Sequence, residues 1–157
     1  MELDARVERV RMAYEAVHAP LWRAVLAYSG ATDVADEAVA EAFAQLLRRG
    51  DGVDDPAAWA WRSAFRIAAG ELKRRGRAPV PGAVPDVGVS VPEPALDLIA
   101  ALHHLTDQQR ACVVLCDLAG HPAPEAARLL GTTAATVRVQ RMRARRRLRD
   151  LLEDRDA

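Results

Sequence analysis

The stretch APEAARLLGTTAATVRVQRMRARRRLRDLL, residues 123–152, contains the strongest fold signal in the sequence. A short amphipathic segment ends at Gly131, the pair Thr132-Thr133 follows, and a long arginine-rich segment begins at Ala134. Glycine commonly ends one helix and threonine caps the next, so this order predicts a short helix, a tight turn and a longer basic helix. That succession is typical of a helix-turn-helix unit.

The charge of the final helix is distributed unevenly. Seven of the twelve residues from Arg138 to Arg149 are arginine, and no acidic residue occurs from Ala126 to Arg149, yet the formal net charge of the chain is zero. Like charges at helical spacing repel one another and destabilise an isolated helix. A bound polyanion would offset that repulsion, so the helix and the turn before it predict DNA binding. The alternative is a basic surface helix that faces only solvent.

The helical period separates a core stripe from a DNA-facing stripe. The core stripe contains Val137, Ala144, Leu148 and Leu151. Residues near the N-terminal end of the helix are predicted to reach base edges in the major groove, where arginine can read guanine. These residues are Thr133, Ala134, Thr136, Arg138 and Arg141. Farther along, phosphate contacts are predicted for Arg145, Arg146 and Arg149.

Composition and proline placement predict two small helical domains. Half of the 157 residues are hydrophobic but only 4% are aromatic, so alanine and leucine, both strong helix formers, must fill the core. Residues 78–94 hold five prolines and two glycines, which interrupt regular structure. We therefore predict an all-α fold with domains over 1–77 and 95–157, joined by a linker over 78–94.

Four helices are predicted in the first domain. Pro20 is expected to open the second, Thr32 or Asp33 to cap the third, and Asp55-Pro56 to open the fourth. The predicted helices cover about residues 3–17, 20–30, 32–49 and 56–75.

The second domain is predicted to begin with the helix PALDLIAALHHL, residues 94–105. Thr106 and Gln109 form a capping-box pattern that opens the next helix, which is expected to end at Gly120. That helix contains Cys112 and Cys116, which we interpret as buried thiols because the histidines do not lie at a zinc-finger spacing.

The third predicted helix has an acidic face. Asp33, Glu37 and Glu41 stand four residues apart on it. The opposite face is apolar and contains Ala35, Val39, Ala42, Phe43 and Leu46. No histidine, nucleophile or glycine-rich phosphate loop accompanies the carboxylates, so we predict no catalytic residue, no metal site and no cofactor. The face is interpreted as either solvated or protein-binding.

The fourth predicted helix is also two-sided. Its core stripe contains Trp61, Phe65, Ala68 and Leu72, and the other side contains Trp59, Arg62, Ser63, Arg66 and Lys73. A tryptophan among arginines suits single-stranded nucleic acid, which offers bases for stacking and phosphates for charge. The equal alternative is that Trp59 packs on a neighbouring helix.

Two features that are missing from the sequence bear on the cellular location of the protein. No apolar run approaches the ~20 residues that span a bilayer. The N-terminal segment alternates charged and apolar residues and lacks the apolar stretch of a signal peptide. We therefore expect a cytoplasmic protein.

Three segments, in order, resemble bacterial RNA polymerase sigma factors of the extracytoplasmic-function group. ADEAVAEAF (35–43) and PAAWAWRSAFRIAAGELKRR (56–75) resemble the second conserved region of the family. ALHHLTDQQRACVVLCDLAGHPAPEAARLLGTTAATVRVQRMRARRRLR (101–149) resembles the fourth conserved region. The resemblance spans about Tyr14 to Leu152 and implies two helical domains around the linker.

The resemblance implies specific partners and roles. The chain would bind core RNA polymerase and direct it to promoters, while the polymerase supplies the chemistry; an anti-sigma factor wedged between the domains is a further expected partner. Polymerase binding is implied for Asp36, Glu37 and Glu41. Binding of the minus 10 element is implied for Trp59, Arg62, Arg66, Lys73 and Arg74. Reading of the minus 35 element is implied for Thr133, Ala134, Thr136, Arg138, Arg141, Arg145 and Arg149.

The sequence departs from the family pattern at six positions within or beside these sets. Ala40, Arg66 and Gly70 stand where glutamine, asparagine and aspartate are usual. Val139, Gln140 and Arg141 stand where serine, arginine and leucine are common. Two alternatives stay open. One is a helix-turn-helix regulator that binds DNA without core polymerase, a class that shares only the second half of the chain. The other is a sigma-like protein that binds polymerase but opens promoters poorly.

Overall fold

The computed structural model describes residues 1–76 and 92–157. Within these ranges the predicted all-α fold is confirmed. The helices are α1 (Glu2–Ser29), α2 (Thr32–Arg49), α3 (Pro56–Arg74), α4 (Glu93–Leu102), α5 (Asp107–Val113), α6 (Ala123–Leu130) and α7 (Ala134–Asp156). A 3-10 turn spans Gly50–Gly52 and a π-helical turn spans Val114–Leu118. None of the described helices has the length and apolar character that crossing a membrane requires.

Most of the predicted linker, residues 78–91, lies outside the described residues. The structure differs from the prediction at the C-terminal end of the linker, which was expected at residue 94, because α4 already begins at Glu93 with Pro92 as its N-cap. α4 also ends at Leu102, three residues before the predicted end, and Leu105 is buried in the turn that follows.

The predicted break at Pro20 is wrong, because α1 continues through it to Ser29. An internal proline costs a helix about 3 kcal/mol through a lost hydrogen bond and a steric clash. Residues on both sides of the proline share one buried face, with Ala13 before it and Leu21 and Val25 after it. Burying one Leu or Val side chain contributes about 1.5–3 kcal/mol, so the packing of this face offsets the cost of the proline.

Local capping signals had mixed outcomes. Asp55 caps α3 as predicted, since its carboxylate accepts from the Ala58 N–H at 3.1 Å. The predicted capping box before α5 is also present, with Thr106 and Gln109 bonded to each other's backbone N–H. The predicted cap of α2 is wrong: the N-cap is Ala31, which is fully buried and offers no side-chain cap.

The helix after Thr106 changes character before it ends. α5 stops at Val113, and the π-helical turn follows, closed by a 3.0 Å bond from the Ala119 N–H to the Val114 carbonyl. Gly120 then has a φ of 80° and ends the segment as predicted. Cys112 and Cys116 are free and buried here, and burial raises the pKa of the Cys112 thiol to about 11.

Each half of the chain has its own helical bundle, and the two bundles contact each other. α1, α2 and α3 pack around Leu21, Val25 and Leu46, while α5, α6 and α7 pack around Leu115 and Val137. α3 also contacts α6, and α1 contacts both α4 and the π-helical turn. α3 is therefore held against α6, the helix that precedes the turn to α7.

Candidate nucleic-acid and polymerase interfaces

α6, its turn and α7 form the predicted helix-turn-helix unit. Gly131 ends α6 in the left-handed region, with a φ of 70°, and its N–H donates to the Ala127 carbonyl. Thr133 caps α7, because its Oγ1 accepts from the Thr136 N–H at 3.1 Å. Val137 and Ala144 are fully buried against the rest of the second half, so α7 is fixed along its core stripe.

The arginines of α7 point away from that stripe. Arg138, Arg145 and Arg149 are exposed, whereas Arg141 is half-buried at the border of the stripe. The other predicted DNA-contacting residues lie at the start of the same helix, with Thr133 exposed and Ala134 and Thr136 half-buried. These residues lie at the start of α7 and along its length, and we call the surface that carries them the arginine face: Thr133, Ala134, Thr136, Arg138, Arg141, Arg145 and Arg149.

Asp117 is a member of this surface that sequence reasoning missed. Its Oδ2 accepts from Arg141 Nε at 3.0 Å and its Oδ1 accepts from Arg141 Nη2 at 2.7 Å. Oδ1 also accepts from Arg145 Nη2. The hydrogen bonds from Arg141, and then those from Arg145, hold the pKa of the Asp117 carboxyl below its usual value. Arg141 and Arg145 lie 24 and 28 positions after Asp117 in the sequence, so no local pattern indicates that the three residues meet.

The residues predicted to bind the minus 10 element do not all share one face of α3. Arg62 and Arg66 are exposed and line a crevice of about 370 Å³ together with Phe65, Leu130 and Gly131. Lys73 is also exposed, about two helical turns beyond Arg66. The crevice lies between α3 and α6, so the second half covers part of this basic surface.

Trp59, Ser63 and Arg74 lie elsewhere. Trp59 is half-buried, and the Arg49 guanidinium lies over its ring, 5.9 Å from the ring centre. Ser63 is buried, so its predicted place on the outer side of α3 is wrong. α3 packs against α1, α2 and α6, and contact with three helices widens its buried face beyond one stripe. Arg74 bonds to Glu71 and faces the acidic surface on α2.

The predicted acidic face of α2 borders a groove that we call the α2–α3 groove. It has a volume of about 510 Å³ and an apolar floor formed by Ala38, Ala44 and Ile67. Glu37 and Glu41 stand on its rim. Glu41 accepts from Gln45 at 3.1 Å and from Arg48 at 2.8 Å, and these bonds hold the pKa of its carboxyl below the usual value.

Asp33 and Asp36 are engaged at other points. Arg75 donates to Asp33 at 2.6 Å and holds the pKa of that carboxyl below its usual value. Trp22 Nε1 donates to Asp36 at 2.7 Å, which ties α1 to α2. Of the three predicted polymerase-binding residues, only Glu37 and Glu41 therefore border the α2–α3 groove.

A buried arginine connects the two halves. The Arg110 side chain is 1% exposed, and its Nε donates to the Tyr28 carbonyl at 2.7 Å. Its other donors bond to the Leu105 carbonyl at 3.2 Å and to Asp107 at 3.0 Å, and its guanidinium lies 5.0 Å from the centre of the Tyr28 ring. Every nitrogen of the guanidinium is therefore satisfied, as a buried charge requires.

Two histidines, His121 and His103, add to this contact between the two halves. The Trp61 and His121 rings meet edge to face, with 4.5 Å between their centres. His103 is buried against the C-terminal end of α1, and its Nε2 has no hydrogen-bond partner among the described residues. Burial, followed by the nearby charge of Arg110, lowers the pKa of His103 to about 4. The imidazole is consequently neutral at pH 7.

An apolar groove of about 490 Å³ lies between the two halves where α1 meets α4. Trp22 and Leu26 of α1 form one wall, and Leu98 and Ile99 of α4 with Leu118 form the other. Leu98 and Leu118 are 41% and 49% exposed, so large apolar side chains remain open to solvent here. Within the two described ranges, no group of His, Cys, Asp or Glu side chains is arranged to hold a metal ion.

Known proteins resemble both halves of this chain. Residues 95–148 match the family Sigma-70, region 4. The sigma factor RpoE of Bartonella quintana, solved in complex with the anti-sigma factor NepR, is similar with a TM-score of 0.73 and 20% identity over 91% of this chain and 96% of that one. CnrH, solved with the cytosolic domain of CnrY, has a TM-score of 0.76 and 23% identity over 98% of this chain and 93% of that one.

A third solved structure has higher identity over a smaller share of its own length. The extracytoplasmic function sigma factor SigJ of Mycobacterium tuberculosis has a TM-score of 0.65 and 26% identity over 86% of this chain and 52% of that one. Comparison with curated protein sequences gave no match.

The helix-turn-helix unit and its arginine face define a DNA-binding transcription protein. Residues 95–148 match sigma-70 region 4, and the fold of the chain is similar to that of solved sigma factors, among them one of the extracytoplasmic-function group. The resemblance inferred from three sequence segments is thereby confirmed. The likeness covers the first half as well as the second, so it does not support a regulator built on the helix-turn-helix alone.

Proposed function

We propose that this sigma factor binds core RNA polymerase through the α2–α3 groove and directs it to promoters through the arginine face of α7. The observation that carries the proposal is the match of residues 95–148 to sigma-70 region 4. In the same segment, the helix-turn-helix presents arginines with no acidic residue from Ala126 to Arg149. The polymerase is expected to supply the chemistry of transcription, and the sigma factor to supply promoter choice.

The α2–α3 groove has the properties of a protein-binding surface. It has an apolar floor and an acidic rim, and a partner helix with apolar and basic residues would match both. Glu37 is exposed and forms no ion pair with any described residue, so its carboxylate is available to such a partner. Ala40 also lines the groove, where the family has glutamine, which leaves apolar contact in place of a hydrogen-bonding side chain.

Binding to sigma-free core polymerase tests this proposal. The wild-type chain is expected to co-elute with core polymerase in size-exclusion chromatography. A Glu37→Lys, Glu41→Lys variant is expected to elute separately, because it reverses the charge of the groove rim. The matched control is Asp4→Lys, Asp54→Lys, which makes the same charge change at exposed acids outside the groove. Equal co-elution of all three proteins would contradict the placement of polymerase on α2.

We further propose that residues 1–77 and 95–157 act as separate domains joined by residues 78–94. The minus 10 and minus 35 elements are centred about 25 base pairs apart, which is about 85 Å of duplex at 3.4 Å per base pair. The basic face of α3 instead lies against α6 across the crevice lined by Arg62 and Arg66. The two halves must separate before α3 and α7 can occupy both elements, and the Arg110–Tyr28 contact is broken in that step.

An anti-sigma factor is the further partner we propose. RpoE and CnrH were solved with protein partners, and the present chain shares their fold. The apolar groove between α1 and α4 offers such a partner one wall from each half of the chain. A segment seated there would hold the halves together. Leu98→Glu would weaken this docking and leave the α2–α3 groove unchanged.

A further inference from the structure

Asp117, Arg141 and Arg145 form a group of three charged side chains that we call the Asp117 cluster. Its arrangement restricts how α7 can bind DNA. Arginine reads guanine by presenting two N–H donors from one edge of its guanidinium to two acceptors on the base. In this structure the Nε–Nη2 edge of Arg141 is already bonded to both oxygens of Asp117. The edge is therefore occupied by a carboxylate in the same bidentate geometry that a base would need.

The fold positions Asp117 for this role. The π-helical turn Val114–Leu118 places it opposite α7, where its side chain is 24% exposed, against 32% for Arg141 and 52% for Arg145. Partial burial strengthens a charge-assisted pair compared with a fully solvated one. The wider turn thus supplies an acid to a helix that carries none between its start and Arg149.

The remaining arginines of α7 are not held in this way. Within residues 1–76 and 92–157, the ion pairs of the stretch Arg138–Arg149 involve only Arg141 and Arg145. Arg138 is exposed and lies in the second turn of α7, four residues after its first residue, Ala134. The arginine face therefore contains two kinds of arginine: free ones, such as Arg138, and two that share one carboxylate.

We propose that Asp117 is a positioning residue that withholds Arg141 and Arg145 from DNA, so that Arg138 and the start of α7 read the minus 35 element. The inference rests on the proposed DNA binding by α7. It also changes the role expected for Arg141, which was predicted from the sequence to reach base edges. With Asp117 in place, non-specific affinity is lower than the arginine count of α7 implies, which favours discrimination between promoter and other DNA.

The salt dependence of non-specific DNA binding tests the inference. Each additional phosphate that an arginine neutralises steepens the slope of log K against log salt by about 0.9, and this amounts to roughly eightfold tighter binding at 0.1 M salt. The full chain and an Asp117→Asn variant would be titrated by fluorescence anisotropy against a labelled duplex of arbitrary sequence, from about 50 to 200 mM salt. Asp117→Asn is expected to bind more tightly, with a slope steeper by about 0.9 for each arginine released.

Two further variants show which residues cause an increase in DNA affinity and in its salt dependence. Asp150→Asn removes the same charge from α7 itself without opening the Asp117 cluster, and is expected to leave the slope unchanged. Adding Arg141→Gln and Arg145→Gln to Asp117→Asn is expected to bring the slope back to the wild-type value or below. A merely structural role for Asp117 would weaken binding on substitution and would not steepen the salt dependence.

Arginine variants test the same point if Asp117→Asn does not fold. Arg141→Gln is expected to change the slope little, because Arg141 is withheld, whereas Arg138→Gln is expected to flatten it by about 0.9. The inference is overturned if Asp117→Asn binds the duplex no more tightly than Asp150→Asn. It is also overturned if Arg141→Gln loses as much affinity for the duplex as Arg138→Gln. If the wild-type chain binds no duplex even at the lowest salt, the proposed DNA binding falls and this inference falls with it.

Discussion

Gly30 offers a sharp test of the contact between the two halves. It ends α1 in the left-handed region, with a φ of 69°. A Cβ added there would lie 2.3 Å from Nε2 and 2.8 Å from Cε1 of His103, which belongs to the second half. These separations are far below van der Waals contact, so alanine at position 30 must displace the His103 ring or separate the halves.

Gly131 is a matched control within the same chain. It ends α6 with a φ of 70°, but a Cβ added there meets no atom within 4 Å. Alanine in the left-handed conformation costs about 1–2 kcal/mol at either position. Only Gly30→Ala adds a clash between the halves, so the difference between the two variants isolates that contact.

Urea unfolding and small-angle X-ray scattering provide the measurements. Gly131→Ala is expected to lower the free energy of unfolding by about 1–2 kcal/mol and to keep the wild-type radius of gyration. Gly30→Ala is expected to lose more stability and to have a larger radius, because separating the halves relieves the clash. Adding His103→Ala to Gly30→Ala is expected to restore the compact radius, since the new methyl then occupies the space that the ring leaves.

Equal effects of Gly30→Ala and Gly131→Ala on both the free energy of unfolding and the radius of gyration would contradict the contact between the halves. Equal effects would mean that His103 does not lie against Gly30 in solution. The crevice lined by Arg62 and Arg66 would then be open in the free protein, and no separation of the halves would be needed before promoter binding.

Two further predictions concern pH and helix capping. Because the pKa of His103 is about 4 when folded and near 6.5 when unfolded, the folded state binds fewer protons, and the free energy of unfolding falls as the pH drops through that window. The loss is no more than about 2 kcal/mol after allowance for solvent screening. Urea unfolding at pH 7 and pH 5 should show a smaller loss for His103→Gln; an equal loss in both proteins would contradict the buried neutral ring. Thr133→Ala is expected to cost about 1 kcal/mol by removing the cap of α7, whereas Thr133→Asn keeps a capping oxygen and should leave the free energy of unfolding nearly unchanged. Equal unfolding free energies for the two Thr133 variants would show that the cap contributes nothing.

Helix ends were predictable where a local signal determines them. Asp55 bonds to an N–H three residues away, and Thr106 with Gln109 does the same in both directions, so each cap can be read from a few adjacent residues. Gly131 is likewise recognisable because its left-handed conformation suits glycine. The predictions at Pro20 and Thr32 failed because α1 packs through its proline, and the buried Ala31 leaves α2 without a side-chain cap.

The functional surfaces were predictable as helix faces but not as contacts. Periodicity placed Glu37 and Glu41 on the outside of α2 and Arg138 on the outside of α7, and the structure leaves all three exposed. Periodicity gave no indication that Asp36 is bonded to Trp22 or that Arg74 belongs with the acidic groove. These pairings join different helices, and they depend on how the helices cross.

The all-α class, the caps of α3, α5 and α7 and the helix-turn-helix could be read from the chain alone, because these features depend on interactions within a few residues. Three contacts arise only when the helices pack: Arg110 with the Tyr28 carbonyl, His103 with Gly30, and Asp117 with two arginines of α7. Each of these contacts joins residues 24 or more positions apart. Such partners are brought together only when the helices pack, and helical periodicity carries no information on which distant residue a side chain will meet.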